Sequence, residues 1–162
     1  MSYYAKDITG RTIEYDCMSC DIASHKLVPP GGMIYEDDIV TLAGDVEVPL
    51  NGFIILAPKR HVTSLEELSR EERYHMQDVL VEGIKALKIL GICENVSIVQ
   101  EQKHHLHVWL MPIYDWMKDD GCGVKNIRET FNIAKCNASK NGIFDVMYAI
   151  QRLKTYFSTL KF

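Results

Sequence analysis

The segment HHLHVWLM, residues 104–111, strongly constrains the fold because its residue types alternate. In a β-strand, side chains two positions apart lie on the same face of the sheet. One face would be aliphatic and the other aromatic, with Leu106, Val108 and Leu110 on the first and His105, His107 and Trp109 on the second. We therefore predict a strand whose aliphatic face packs under a helix and whose imidazole face lines a cleft.

Four further strand patterns accompany this segment. Residues 33–45 indicate a strand, an acidic turn and a second strand, while residues 53–57 form a buried apolar run that Pro58 stops. Residues 96–102, VSIVQEQ, alternate in the same manner and are joined to the histidine strand by a very short turn. We expect these last two strands to pair in an antiparallel hairpin.

Capping residues and apolar spacing define the helices. Ser64 and Ser69 each stand three positions before a glutamate, which is the capping box that begins a helical turn. Apolar residues then recur at helical spacing as far as Gly91, which favours a helix end. Two more helical patterns occupy residues 125–135 and 143–161. The order β-β-β-α-β-β-α-α predicts an α+β domain, an antiparallel sheet with helices set to one side, spanning residues 1–162.

Composition excludes several classes of protein. The formal charge of −4 argues against a general nucleic-acid binder. The N-terminal residues lack the apolar core of a signal peptide, and no apolar run approaches the ~20 residues that span a bilayer. Five cysteines, an odd number, do not indicate a disulfide framework. We expect a cytoplasmic protein that does not enter membranes.

Cys17 and Cys20 form a C-x-x-C pair, and two histidines lie where they can complete a site. Two thiolates and two imidazoles make a tetrahedral zinc site, for which the chain offers His61 and His105. The histidines do not follow zinc-finger spacing. A redox pair and two buried thiols are the other interpretations of the cysteines, although no βαβ unit surrounds the motif.

Several short motifs occur in a recognisable order. They are a C-x-x-C, IYEDD from Ile34, a strand that contains Asp45, ILAPKRH ending at His61, a long helix, and H-x-H-x-x-x-x-P from His105 to Pro112. In this order the chain resembles the histidine triad superfamily over residues 17–112. Residues 113–162 lie outside the resemblance and form a C-terminal helical extension.

The resemblance implies a function and a set of site residues. Members of the family are mainly homodimers that bind nucleotides and hydrolyse or transfer a nucleotidyl group. The middle histidine of the triad, here His107, attacks the α-phosphorus and forms a covalent nucleotidyl-histidine. The resemblance assigns a structural zinc to Cys17, Cys20, His61 and His105. It assigns ribose hydroxyls to Asp45 and the base to Ile34 and Tyr35.

Two departures from the family pattern leave a second function open. Trp109 replaces the third histidine, and an indole cannot carry a proton across the site. The link before the triad, VQEQKHH, has no glycine for a phosphate loop. Its possible donors are Gln100, Gln102, Lys103 and His104. We predict nucleotide contacts for Gln100 and Trp109. The alternative function is a non-catalytic, zinc-stabilised nucleotide-binding or regulatory module.

A third interpretation concerns the C-terminal helices. The segment YAIQRLKTYF, residues 148–157, combines aromatic and cationic side chains that suit a docking or nucleic-acid surface. An amphipathic helix packed on the core accounts for the same residues.

Overall fold

A computed structural model describes residues 2–102, 104–117, 127–137 and 140–162, with the backbone alone at residues 140 and 141. The N-terminal part contains a hairpin and a short helix that the sequence did not predict. Strands β1 (Tyr3–Lys6) and β2 (Thr12–Tyr15) pair antiparallel, and helix α1 (Met18–Ala23) follows directly. The helix presents Cys17 at its N-cap position and Cys20 in its first turn.

The main sheet has five strands and is antiparallel throughout. Its spatial order is β3-β4-β5-β7-β6. The strands are β3 (Met33–Glu36), β4 (Val40–Gly44), β5 (Ile54–Pro58), β6 (Asn95–Glu101) and β7 (His107–Ile113). The predicted strands are all confirmed, and the α+β class with them.

The hairpin of β6 and β7 fixes the position of the histidine strand. Glu101 at the end of β6 lies directly opposite His107 at the start of β7. Residues 104–106 lie outside β7 and belong to the connection, where the Leu106 N–H donates to the Val62 carbonyl at 2.7 Å. The predicted strand therefore begins three residues later than the sequence pattern and continues to Ile113.

Helix α2 (Arg70–Ile89) begins and ends at the predicted signals. The Glu72 N–H donates to the Ser69 hydroxyl at 3.1 Å, and the Ser69 N–H donates to the Glu72 carboxylate at 2.7 Å. Ser64 begins a separate 3₁₀ turn, Leu65–Glu67. Gly91 follows the helix with a φ of +63°, a conformation that glycine adopts at little cost.

Helices α2 and α4 (Lys140–Phe157) cover one face of the sheet. Helix α2 lies close to the sheet at Gly83, where an added Cβ would stand 2.7 Å from the Leu110 side chain. The aliphatic residues of β7 point into this core, as the alternation predicted. The buried cluster includes Leu42, Leu56, Leu106, Val108, Leu110, Val79, Leu87, Ile150 and Leu153.

Helix α3 (Ile127–Cys136) lies against the opposite face, which corrects the expectation that the helices share one side. Its apolar residues Ile127, Phe131 and Ala134 pack on Phe53 and Trp109. This face of β5 and β7 is apolar at its far end and polar only near His107, so it offers a second surface for a helix to cover. The first two residues of the predicted helix, 125 and 126, lie outside the described ranges.

No helix within the described ranges combines the length and apolarity that crossing a bilayer requires.

Candidate functional site: a Cys₂His₂ cluster beside an oriented histidine

The four predicted metal ligands converge from three parts of the chain. Cys17 and Cys20 come from the start of α1, His61 follows β5, and His105 precedes β7. Their ligand atoms all lie within 4.8 Å of one another. The four distances from sulfur to imidazole Nδ1 run from 3.2 to 3.7 Å. In a tetrahedral zinc site with bonds of about 2.0–2.3 Å, ligand atoms stand roughly 3.3–3.8 Å apart.

His105 is held in the orientation that metal binding needs. Its ring Nε2 lies 2.9 Å from the Pro58 carbonyl, which can only accept, so Nε2 carries the hydrogen and Nδ1 faces the sulfurs. Burial is the main reason that the pKa of His105 is lowered, which favours the neutral imidazole. Burial raises the pKa of the Cys20 thiol to about 12, which disfavours the thiolate. A bound cation would offset this by stabilising the thiolate.

Donor type, spacing and orientation therefore fit one ion. Two sulfurs and two imidazole nitrogens, with sulfur-to-nitrogen distances close to those of a tetrahedral site, form the donor set of a closed structural zinc site. This cluster can hold zinc.

His107 lies next to this cluster with a defined tautomer. Its Nδ1 stands 2.8 Å from the His105 carbonyl oxygen, so Nδ1–H is the donor. The other ring nitrogen, Nε2, lies 2.9 Å from Oε2 of Glu101. The ring is partly exposed, and it borders two cavities.

The first cavity contains the predicted ribose-binding carboxylate. It has a volume of about 230 Å³, and its polar lining includes Thr41, Asp45, Glu47, Glu101 and His107. The Asp45 carboxylate accepts N–H hydrogen bonds from Glu47 at 2.9 Å and Val48 at 2.7 Å. Burial raises the pKa of Asp45 to about 6, against the effect of these two donors. His107 and Asp45 thus face the same space.

The second cavity also borders His107 and has a volume of about 520 Å³. The N-terminal hairpin contributes Tyr3 and Tyr15, whose rings stack at 5.9 Å. Met18, Ser19 and His107 border both cavities. An extended ligand can therefore pass His107 with one part in each cavity.

Trp109 lines the first cavity but belongs mainly to the apolar cluster under α3. Its ring lies 5.6 Å from Phe53 and 5.5 Å from Phe131. The His107 ring is 6.2 Å away. In place of a third imidazole, the site has an aromatic wall.

Three predicted nucleotide contacts lie away from these cavities. Ile34 is buried in the core that α4 covers, and the Tyr35 ring packs on Phe157 and Phe162. The Tyr35 hydroxyl donates to Asp37 at 2.6 Å. Gln100 is exposed and pairs with Val108, whose side chain is on the α2 face. The structure does not bring these three residues to His107.

Glu101 is the site residue that the sequence analysis missed. The hairpin register identifies it, because a residue directly opposite His107 shares its face. His104 is exposed and borders the second cavity. Lys103 and Cys122 lie outside the described residues.

Comparison with curated proteins identifies two relatives. A protein-family search finds no matching family model. An uncharacterized HIT-like protein of Methanocaldococcus jannaschii is 23% identical over 105 residues, covering 61% of this chain and 80% of the relative. An uncharacterized HIT-like protein of Borreliella burgdorferi is 28% identical over 120 residues, covering 68% and 83%.

Solved structures share the fold over most of the chain. A zinc-bound histidine triad family protein from Mycobacterium smegmatis is 18% identical with a TM-score of 0.60, covering 86% of this chain and 96% of that chain. A HIT family protein from Bacillus anthracis is 19% identical with a TM-score of 0.57, covering 90% and 98%. A hypothetical histidine triad nucleotide-binding protein from Sulfolobus tokodaii is 17% identical with a TM-score of 0.53, covering 90% and 99%.

The architecture and the Cys/His cluster define an α+β protein with the histidine triad fold and a site that can hold zinc. The curated relatives are described as HIT-like proteins, and this chain is similar to them, with Trp109 where the histidine triad pattern has its third histidine.

Proposed function

We propose that this protein binds a nucleotide conjugate and transfers its nucleotidyl group, to water or to another acceptor, through His107. The observation that carries the proposal is the orientation of one ring. Because Nδ1–H donates to the His105 carbonyl, the lone pair of the neutral imidazole belongs to Nε2. That nitrogen lies 2.9 Å from Glu101, and both residues line the cavity that contains Asp45.

The chemistry follows from that nitrogen. Nε2 attacks the α-phosphorus, the leaving group departs, and a covalent nucleotidyl-histidine forms that the acceptor then resolves. Dividing the transfer into two displacements lets one site accept several leaving groups. HIT-like relatives support a nucleotide-related hydrolase or transferase, and the Sulfolobus tokodaii protein is described as nucleotide-binding.

The two cavities suit the two parts of such a substrate. Asp45 in the first cavity would accept hydrogen bonds from ribose hydroxyls, and Trp109 would form part of the wall. The leaving group would extend past His107 toward the second cavity. Ile34, Tyr35 and Gln100 have no part in this arrangement.

Zinc would be held by Cys17, Cys20, His61 and His105 and would supply structural cross-linking, with four protein ligands. Because His105 also provides the carbonyl that orients His107, the cluster fixes the backbone beside the nucleophile.

A homodimer forms part of the proposal through the family resemblance alone, with the two copies related by a two-fold axis. Sedimentation equilibrium of the purified protein would measure the mass directly.

The test is turnover by wild type beside His107→Asn. The panel contains diadenosine polyphosphates, adenosine phosphoramidate and sugar nucleotides. We expect wild type to turn over at least one class, and His107→Asn to lose at least about 10³-fold in kcat while keeping its zinc content and melting temperature.

His25→Asn is the matched control for that variant. His25 is exposed, lies outside both cavities and has a φ of +59°, which asparagine tolerates. We expect it to keep wild-type turnover. Turnover that survives in His107→Asn would contradict the proposed nucleophile.

A non-catalytic nucleotide-binding module is the second candidate function. The observation that favours it is the third triad position, where Trp109 packs against Phe53 and Phe131 and offers no proton carrier. Nucleotide binding by calorimetry, without turnover of any panel member, would favour this candidate over the catalyst.

A further inference from the structure

Glu101 contacts the nitrogen that the proposed reaction uses. Its Oε2 lies 2.9 Å from Nε2 of His107. The pairing of β6 with β7 places the two residues directly opposite each other, so the contact is built into the sheet. The Glu101 side chain is 49% exposed, which leaves it room to rotate away when a phosphate approaches.

The hydrogen bonds of His107 require a hydrogen between the two residues. Nδ1 donates to a carbonyl, which cannot donate in return. A carboxylate oxygen 2.9 Å from Nε2 makes a favourable contact only when one hydrogen lies between them. When that hydrogen is on the Glu101 carboxylate, the lone pair of Nε2 is available to phosphorus.

The other candidates for this role are held elsewhere. The Asp45 carboxylate accepts two backbone N–H groups. Trp109 packs within an aromatic cluster and carries an indole N–H that does not exchange its proton during a reaction. Among the described residues that line the first cavity, Glu101 is the carboxylate in contact with the nucleophile.

We propose that Glu101 is the general acid–base of this site and does the work for which other triad proteins would use a third histidine. The inference rests on the proposed function, since it assigns the proton transfers of that reaction. It also specifies the substrates: conjugates whose leaving group needs a proton, such as amines and alcohols, depend on Glu101.

A phosphoester or phosphoramidate would react in two displacements. The hydrogen between Nε2 and Oε2 passes to the carboxylate, Nε2 forms a bond to phosphorus, and the bond from phosphorus to the leaving atom breaks. Glu101 gives its proton to that atom. Water then attacks phosphorus and gives a proton to Glu101 while the N–P bond breaks, which restores the starting contact with Nε2.

The test compares two leaving groups on one nucleoside 5′-phosphate. A 4-nitrophenyl ester releases a stable anion that needs no proton, whereas an N-alkyl phosphoramidate releases an amine that does. The quantity measured is kcat/KM, which reports the first displacement, for wild type, Glu101→Gln and Glu101→Asp. Glutamine keeps the shape and a hydrogen-bond donor but cannot transfer a proton.

We expect Glu101→Gln to lose about 10²–10⁴-fold on the phosphoramidate and less than about 10-fold on the nitrophenyl ester. Glu101→Asp should recover part of the phosphoramidate rate. Glu94→Gln, an exposed glutamate just before β6, is the matched control and should behave as wild type on both substrates. Equal melting temperatures and zinc contents would exclude a folding defect.

Two results would overturn the inference, and they are distinguishable. An equal loss on both substrates, or no loss on the phosphoramidate, would remove Glu101 from proton transfer while His107-dependent turnover still supports the proposed function. Absence of turnover on both substrates by wild type would contradict the proposed function and this inference together.

Discussion

At the scale of single residues, Asp45 combines a proposed role in ribose binding with a cost in stability. Its carboxylate lies in the first cavity among Thr41, Gly44 and Val46 and is partly buried. Burial is the largest cause of a pKa near 6, and the neighbouring Glu47 carboxylate adds to it. The folded chain therefore resists the ionisation of Asp45, whereas the unfolded chain ionises it freely.

The raised pKa of Asp45 determines how the stability of the fold depends on pH. Since the folded pKa is about 6 and an unfolded aspartate titrates near ~3.9, stability falls as pH rises between those values and stays low above them. Asp45→Asn keeps an oxygen for both N–H donors and removes the charge. We expect its free energy of unfolding to exceed that of wild type by about 1–2 kcal/mol above pH 6.5 and to equal that of wild type near pH 4.

Urea unfolding at several pH values measures this difference. Asp78→Asn, at an exposed position of α2, is the control that should leave the pH profile unchanged. A less stable Asp45→Asn protein at pH 7 would contradict the prediction. The same variant should bind nucleotide more weakly if Asp45 contacts the ribose.

Residue alternation predicted the inward and outward faces of β7 because that pattern is local. The pattern could not predict Glu101, which depends on the register of a hairpin whose turn departs from the family. One residue of slip would have placed Gln100 opposite His107. The sequence also could not exclude Ile34 and Tyr35 from the cavity, since the pairing of β3 with β4 shifts register between Met33 and Tyr35.

At the scale of elements, Trp109 joins the sheet to α3. The apolar cluster there contains Phe53, Met111 and Phe131, and it is separate from the core beneath α2. The sequence predicted α3 as a helix but not its face of the sheet, since apolar residues at helical spacing suit either surface. The Trp109 ring provides part of the apolar surface on which α3 packs.

Two substitutions of Trp109 distinguish its contribution to packing from any contribution to catalysis. Trp109→Phe keeps the ring contacts with Phe53 and Phe131 and should cost about 1–2 kcal/mol of unfolding free energy. Trp109→His introduces the residue that the histidine triad pattern has at this position but puts a polar ring in an apolar cluster, and it should cost about 3 kcal/mol or more of unfolding free energy. Urea unfolding, with amide exchange of α3, measures both effects.

Trp116→Phe is the control for the loss of an indole, because Trp116 is 44% exposed. We expect it to change the unfolding free energy by less than about 0.5 kcal/mol. A Trp109→His protein that matched Trp109→Phe in stability and exceeded wild type in turnover would contradict a structural role for the tryptophan.

At the scale of the whole molecule, the Cys/His cluster ties together segments that the chain separates widely. It joins α1, the end of β5 and the start of β7, and the sequence separation of Cys17 and His105 is 88 residues. It also brings the N-terminal hairpin beside the second cavity. Cross-linking of distant segments removes more freedom from the unfolded chain than local contacts do.

Removal of zinc should therefore lower the stability of the whole fold as well as disorder the site. We expect one zinc per chain. Loss of zinc should remove about 2–3 kcal/mol of stabilisation, and each kcal/mol changes the melting temperature of a chain of this size by ~2–4 °C. A chelator should therefore lower the melting temperature by roughly 5–10 °C. Cys17→Ser and Cys20→Ser should reproduce the loss, while exposed Cys136→Ser should keep both zinc and stability.

The same experiment tests whether the cluster orients the nucleophile. His105 would bind zinc through Nδ1, while its carbonyl accepts the hydrogen of His107 Nδ1. If zinc holds this backbone, the chelated protein below its lowered melting temperature should lose kcat more than it raises KM. Nucleotide should still raise the melting temperature of the chelated protein, because Asp45 lies in the connection between β4 and β5, which contains none of the four zinc ligands. A chelated protein with unchanged melting temperature would show that protein contacts alone hold the three segments together.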